Sequence, residues 1–434
     1  MSMSFSSLLD RAVAVLRSND TGLFTKPGPH QYPHQWNWDS ALIALGLSHF
    51  DLPRAQAEIR SLLSGQWLDG MVPSVVYHSI PSDYFPTPEF WQIETSRAAP
   101  DVPTTGITQP PLLATVVRQI HDRSPMPDFV REVYPGLLGW HRWLHTARDA
   151  DGSGLVCIIH PWESGTDDSP RWLDLLASIR PDALPEFQRG DTKYVPAIER
   201  PNRSEYERFI YFIDVFRRLH YEPKALLAHV PFLVQDVLFN AILFRANEDL
   251  RALAGGLGEP VDEIDGWLDR ARSSFDARFW DEGAGLYHDY DVRAGAPIHV
   301  NTISIFLPLF AGLPSESQAR RLIDEHLLDP AEYAPDGDVT YRVTTTARNE
   351  PAWEPRRYWR GPVWIITNWF MIEGLRRYGY EDLAEVIRQD TLALMESTGF
   401  REYYDPRDGS GCGSTDFSWS AALALELSQS PHTH

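Results

Sequence analysis

The feature that most constrains this chain is a helical periodicity that keeps returning along its length. "WDSALIALGLSHF" is apolar at Leu42, Ile43, Leu45 and Phe50. "VLFNAILFRANEDLRALAGGLG", "EIDGWLDRARSSFDARFW" and "YEDLAEVIRQDTLALMES" follow the same 3.6-residue logic. Roughly a dozen such stretches occur, with few alternating ones. A weak repeat organises them. A helix closes in an Asp/Gly turn, and a short apolar or aromatic piece then runs into a polar loop. Examples are "WLDGMVPSVVYH", "ARDADGSGLVCIIHPW", "DEGAGLYHDYD" and "GFREYYDPRDGSGCGS". About twelve helices over the 434 residues gives about 36 residues per helix with its loop, which fits a closed ring of six helical hairpins. The expected fold is all-α: a single (α/α)6 barrel domain over residues 1–434, with loops at one end forming a site. The Pro-rich, aromatic segment 77–106 is too long for an ordinary connector and reads as a lid.

Composition removes several function classes. The formal net charge is -21 and the pI about 5.1, which argues against a nucleic-acid partner. Two cysteines, Cys157 and Cys412, make neither a disulfide framework nor a zinc pattern. The N-terminal stretch is broken by Asp10, Arg11 and Arg17, so no signal peptide is read. No run approaches 18 apolar residues, so no membrane partner is expected either. These readings lead us to expect a cytoplasmic protein; a homo-oligomer is compatible with them, and the oligomeric state stays open. Asp149, Asp151 and Ser153 begin a calcium-loop spacing, but its twelfth position is His160 rather than Glu. No P-loop, dinucleotide fingerprint or serine elbow is present.

The remaining signal is aromatic. Fifteen Trp, 17 Tyr and 20 Phe occur, and many of the tryptophans neighbour carboxylates, Gly or Pro. Flat rings against sugar C–H faces, with carboxylates bridging hydroxyls, are what a carbohydrate site uses. "HPWESGTDDSPRW" places Glu163, Asp167 and Asp168 together in a stretch that cannot be a regular helix. Aromatic walls could raise the pKa of one of these carboxyls and make it an acid. In "HQWNWDSA", Asp39 reads as a helix N-cap or as a sugar contact. Glu402, between Phe400 and two tyrosines, is a candidate base. "RPNRSEYERFIYF" offers Arg200, Arg203 and Arg208 with Tyr206, either as solvated ion pairs or as a fork for a carboxylate. His141 and His145, at i and i+4, could hold a metal, but no third ligand is nearby.

"QWNWDSA", "GITQPP", "WESGTDDSPRW", "YWRGPVW" and "EYYDPRDGSGCG…FSWSA" resemble, in this order, glycoside hydrolase family 63. The resemblance is closest to its bacterial mannosylglycerate and glucosylglycerate hydrolases, and it covers about residues 32 to 421. It implies the same barrel and an inverting α-glycoside hydrolysis of a small-molecule substrate, with no metal or cofactor. The family's general acid falls on Asp167 and its general base on Glu402. Its sugar contacts fall on Tyr32, Trp36, Asp39, Gln109, Trp162, Gly165, Tyr358, Trp359, Gly361 and Trp364. The glycerate carboxylate would meet Arg203, with Tyr206. Where the family carries Asn, this chain has Asp168, expected to be structural, while Glu163 is expected to position the loop. A neutral α-glucoside is the alternative substrate. A sugar epimerase using paired histidines and a non-catalytic sugar-binding protein are the readings from other classes.

Overall fold

The computed structural model describes residues 5–78, 80 and 82–429. Ser79 and Pro81 of the expected lid lie outside the described residues, as do the extreme ends of the expected single domain. Among the described residues, two concentric rings of helices form the barrel. The inner ring is Asn37–Leu47, Leu113–Arg123, Val237–Leu257, Leu307–Ala311, Ile365–Arg377 and Ser418–Leu427. Each of these packs on the next, and the last closes on the first. The outer ring is Phe5–Asn19, Leu52–Leu63, Pro127–Ala147, Asp262–Phe279, Glu316–Arg321 with its π-helical continuation Leu322–Leu327, and Glu381–Thr398. The chain alternates strictly between the two rings, so the expected six hairpins are there.

The sequence separates the rings. In the inner helix Asn37–Leu47 every residue is buried, because one face meets the barrel interior and the other meets the outer ring. The outer helix Leu52–Leu63 buries Ala55, Glu58, Ile59, Ser61 and Leu62, packs Leu52 and Leu63 at the core's edge and exposes Pro53 and Arg60. Asp51 starts it by accepting from the Arg54 N–H, with proline just inside the first turn.

Connection lengths decide where the site lies. Inner-to-outer connections are short: 48–51, 124–126, 258–261, 312–315 and 378–380. Outer-to-inner connections are long: 20–36, 64–112, 148–236, 280–306, 328–364 and 399–417. All six long connections therefore gather at the N-terminal ends of the inner helices. Short antiparallel strands tie them together. Gln35–Trp36 pairs with Val75–Val76, and Tyr403–Tyr404 with Gly411–Cys412. A four-stranded sheet runs in the order Cys157–Ile158, Val234–Gln235, Asp289–Asp291, Ala296–Ile298. The segment 77–106 is pinned to this end by hydrogen bonds from Leu68 N to Ala98 O at 2.8 Å and from Thr105 N to Val75 O at 3.1 Å. No helix among the described residues is long and apolar enough to cross a membrane.

Candidate active site

At the loop end of the barrel lies a cavity of about 970 Å³, counted to its open mouth. Five of the six long connections contribute to its wall; among the described residues, 280–306 contributes none. The wall is mainly aromatic, and Asp39, Asp167, Asp191, Glu402 and Arg200 interrupt it.

The three carboxylates of the 160–172 stretch have three different surroundings. Glu163 is buried and accepts from Ile159 N at 2.7 Å, Thr108 N at 3.2 Å and Arg148 Nη2 at 2.8 Å, so it folds the loop onto its neighbours. Asp168 is buried behind the cavity wall, between Arg357 Nε at 3.0 Å and Arg360 Nη2 at 2.6 Å. Burial raises its pKa to about 6 even though those two guanidinium groups pull it down. Asp167 alone of the three faces the cavity. Gly165 makes that possible: its φ is +72°, and a Cβ there would lie 2.5 Å from the Trp38 ring. No other side chain among the described residues donates to the Asp167 carboxyl. Burial pushes its pKa up to about 8; Asp168 and Glu402 add to the rise, and Arg200 opposes it.

Glu402 contrasts with Asp167 by the number of donors it meets. It accepts from Tyr32 Oη at 2.6 Å, Arg200 Nη2 at 3.0 Å and Ser414 N at 2.9 Å, which suits the acceptor-only ionised form. The strand pair Tyr403–Tyr404 and Gly411–Cys412 sets the turn that brings Ser414 back. Gly413, at φ +65°, is required in this turn because a Cβ would meet Glu402 Oε2 at 2.5 Å. Arg200 also donates to Tyr32 Oη at 3.0 Å and lies 4.4 Å over the Tyr358 ring. Tyr358 itself sits at φ 31°, a strained position for a tyrosine, and its carbonyl accepts from Trp364 Nε1 at 2.9 Å. Trp364 stacks on Trp359 at 3.8 Å, so this wall is a rigid plate. Asp39 stands in the first turn of its helix and does not cap it; burial and the nearby Glu402 and Asp167 raise its pKa.

The structure brings most of the expected residues to one place. Tyr32, Trp36, Asp39, Gln109, Trp162, Gly165, Tyr206, Tyr358, Trp359 and Trp364 line the cavity with Asp167 and Glu402. Two expectations are corrected. Arg203 points to solvent: its side chain is 79% exposed and pairs with Glu207 at 2.9 Å. The helix starts at Arg203 itself because Asn202 and Glu205 form a capping box, so the inward guanidinium is Arg200, three residues earlier. Gly361 lies outside the wall: a Cβ there would meet the Glu354 carbonyl oxygen at 2.5 Å, so this glycine packs the loop rather than touching a ligand. Trp38 and Trp419, inside two of the quoted motifs but without a role of their own there, and Asp191, outside them, also line the cavity. The His141/His145 pair is a buried bridge through Asn247 that does not line the cavity, and burial lowers the pKa of both histidines.

A sequence profile described as the mannosylglycerate hydrolase MGH1-like glycoside hydrolase domain matches residues 32–420. The chain belongs to this family. It is a glycoside hydrolase, and its relatives cover it almost end to end. It is 47% identical over 420 residues to a mannosylglycerate hydrolase of Thermus thermophilus, covering 96% of this chain and 99% of that one. It is 34% identical over 439 residues to a glucosylglycerate hydrolase of Mycolicibacterium hassiacum, covering 97% of each. The crystal structure of a GH63 mannosylglycerate hydrolase from Thermus thermophilus, in complex with Tris and D-glycerate, matches with a TM-score of 0.91. That match has 46% identity and covers 97% of this chain and 100% of the other. A Klebsiella oxytoca rhamnosidase, at 16% identity and a TM-score of 0.59, shares the fold alone. The MGH1-like family thus supplies the (α/α)6 barrel that the periodicity predicts.

Proposed function

We propose that this glycoside hydrolase cleaves the α-glycosidic bond of mannosylglycerate or glucosylglycerate, releasing hexose and glycerate with inversion at the anomeric carbon. The observation that carries the reading is one aromatic cavity holding two carboxyls in opposite settings. Asp167, with a pKa of about 8, is the proton donor to the glycosidic oxygen, because it keeps its proton at neutral pH. Glu402, gripped by three donors, is the base that takes a proton from water on the opposite sugar face. In an inverting enzyme that water occupies a gap of roughly 6.5–9.5 Å between the two carboxyls. The Trp36 and Trp162 rings offer stacking faces to the sugar, and Asp39 a partner for its hydroxyls.

The glycerate carboxylate needs a cation, since long-range attraction to a chain of net charge -21 is absent. Arg200 is the cation lining the cavity among the described residues, and its planar fork has donors beyond those given to Tyr32 and Glu402. The test is hexose release from a panel of glycosylglycerates and neutral α-disaccharides, with the new anomer read by proton NMR. Glycosylglycerates are expected to be hydrolysed fastest, with the β-hexose appearing first. Glu402→Gln should lower turnover ~10²–10⁴-fold. Appearance of the α-anomer first would refute inversion, and faster cleavage of a neutral disaccharide would refute the glycerate assignment.

A further inference from the structure

The long connection 280–306 contributes nothing to the cavity, yet it carries a chemistry of its own. Asp281, His288 and His299 converge there, with one potential ligand atom from each lying within 4.8 Å of the others. We propose that these three residues bind a divalent late transition ion, for which Zn²⁺ is the natural probe, and that the ion braces this connection and takes no part in hydrolysis.

Geometry carries the proposal. Asp281 Oδ2 and His288 Nε2 stand 3.7 Å apart, too far for a hydrogen bond. Two ligands with Zn–N and Zn–O bonds of ~2.0–2.2 Å in tetrahedral geometry lie about 3.4 Å apart, so this pair needs only a small closure. The other oxygen of Asp281 is already committed: it accepts from Gly283 N at 2.8 Å and Ala284 N at 3.0 Å, which aims Oδ2 at the histidine. His288 is only 8% exposed, and its backbone N–H is fixed on the Phe279 carbonyl at 2.8 Å. The His299 ring stands edge-on to it at 4.4 Å and is exposed. Two imidazoles and one carboxylate, with water completing the shell, suit zinc and its neighbours rather than magnesium or calcium.

The structural consequence follows from chain position. The ion would join the hairpin Trp280–Tyr287 to the residue after strand Ala296–Ile298. His288 precedes Asp289, whose carboxylate holds Arg171 at 2.7 Å; Arg171 in turn donates to Thr166, beside Asp167, at 2.7 Å. Isothermal titration of the full chain with ZnCl₂ should show one saturable site at micromolar concentration, accompanied by a rise in melting temperature. His299→Ala, an exposed position, should weaken that site at least tenfold and abolish the melting shift, and Asp281→Asn should weaken it as well. Hydrolysis by the chelator-treated wild type should be unchanged. No saturable binding below millimolar Zn²⁺, or equal affinity in His299→Ala, would overturn the proposal, as would loss of hydrolysis on chelation.

Discussion

Replacing Asp167 by Asn removes the proposed proton donor and, by the same physics, relieves the folded state of a burden. Burial raises this carboxyl from 3.8 to about 8. An unfolded chain carries the same group near ~3.9. Between those two values the native protein holds a proton that the unfolded chain has released. The unfolded state then binds one proton fewer, so unfolding free energy falls as pH rises, by ~1.4 kcal/mol per pH unit. The loss begins near pH ~4 and levels off above about 8, and at pH 7 it amounts to about 4 kcal/mol. Asparagine has the same shape and does not titrate. Asp167→Asn should therefore match the wild type near pH 4 and exceed its stability by several kcal/mol at pH 8.5, while turnover falls ~10²–10⁴-fold. Urea melts of both proteins across this range, beside hydrolysis assays, measure both effects. Wild-type activity should decline as pH rises through about 8, where the donor loses its proton. A stability difference that stays constant with pH, or a variant less stable than wild type at pH 8.5, would refute the assignment of Asp167 as a buried neutral acid.

Further outcomes are expected. Arg200→Ala should lower glycosylglycerate hydrolysis more than 10²-fold, because it removes both the proposed glycerate contact and a buried partner of Glu402, each a charge-assisted contact worth ~1.5–3 kcal/mol. Arg203→Ala, at a solvent-facing position, should leave kcat/KM nearly unchanged. By the same linkage Asp168→Asn, at a carboxyl that burial raises to about 6, should not lower stability at pH 7 in a melt, and it should retain far more activity than Asp167→Asn. Equal activity losses would reassign the acid. Protease should nick residues 77–106 more slowly when substrate is added to Glu402→Gln, because Tyr84, Phe85 and Trp91 of this segment line the cavity. Unchanged cleavage would make the segment a static wall.

Much of the architecture is legible in the sequence because periodicity and motif order are local signals. The alternation of fully buried and one-faced helices is written in Asn37–Leu47 and Leu52–Leu63, so the double ring follows. The aromatic-acid motifs stand at the starts of inner helices or in the long connections that lead into them, so closing the ring brings them together. Arg203 misleads although its cap is visible: Asn202 and Glu205 have the spacing that starts a helix, and this turns the next side chain outward. The partners of Asp168 are not legible. Arg357 and Arg360 arrive from a loop nearly two hundred positions away, and no local pattern announces that meeting. Gly361 belongs to a quoted motif, but a glycine kept for backbone approach reads the same as one kept for a ligand until the Glu354 carbonyl is seen against it.

The division of labour among the acids is a matter of donors, and the barrel assigns them. Every inner helix has its N-terminus at the loop end of the barrel, where the cavity lies, a setting that favours negative charge. Against that common field, the local hydrogen bonds distinguish one carboxyl from another. Glu402 meets a phenol, a guanidinium and a backbone amide from three different loops. Asp168 meets two guanidinium groups from a fourth loop. Asp167 leaves the same turn as Asp168, but Gly165 swings it to the aromatic side, where no side chain among the described residues donates to it and burial sets its proton affinity. Two adjacent aspartates, both raised by burial, thus acquire different proton affinities, about 8 against about 6, from one glycine and two arginines. A cation placed near Asp167, for example by a Tyr84→Lys exchange on the cavity wall, should lower its pKa and move the alkaline limb of the hydrolysis profile to lower pH. An unmoved limb in that variant would show that a group other than Asp167 gives up its proton there.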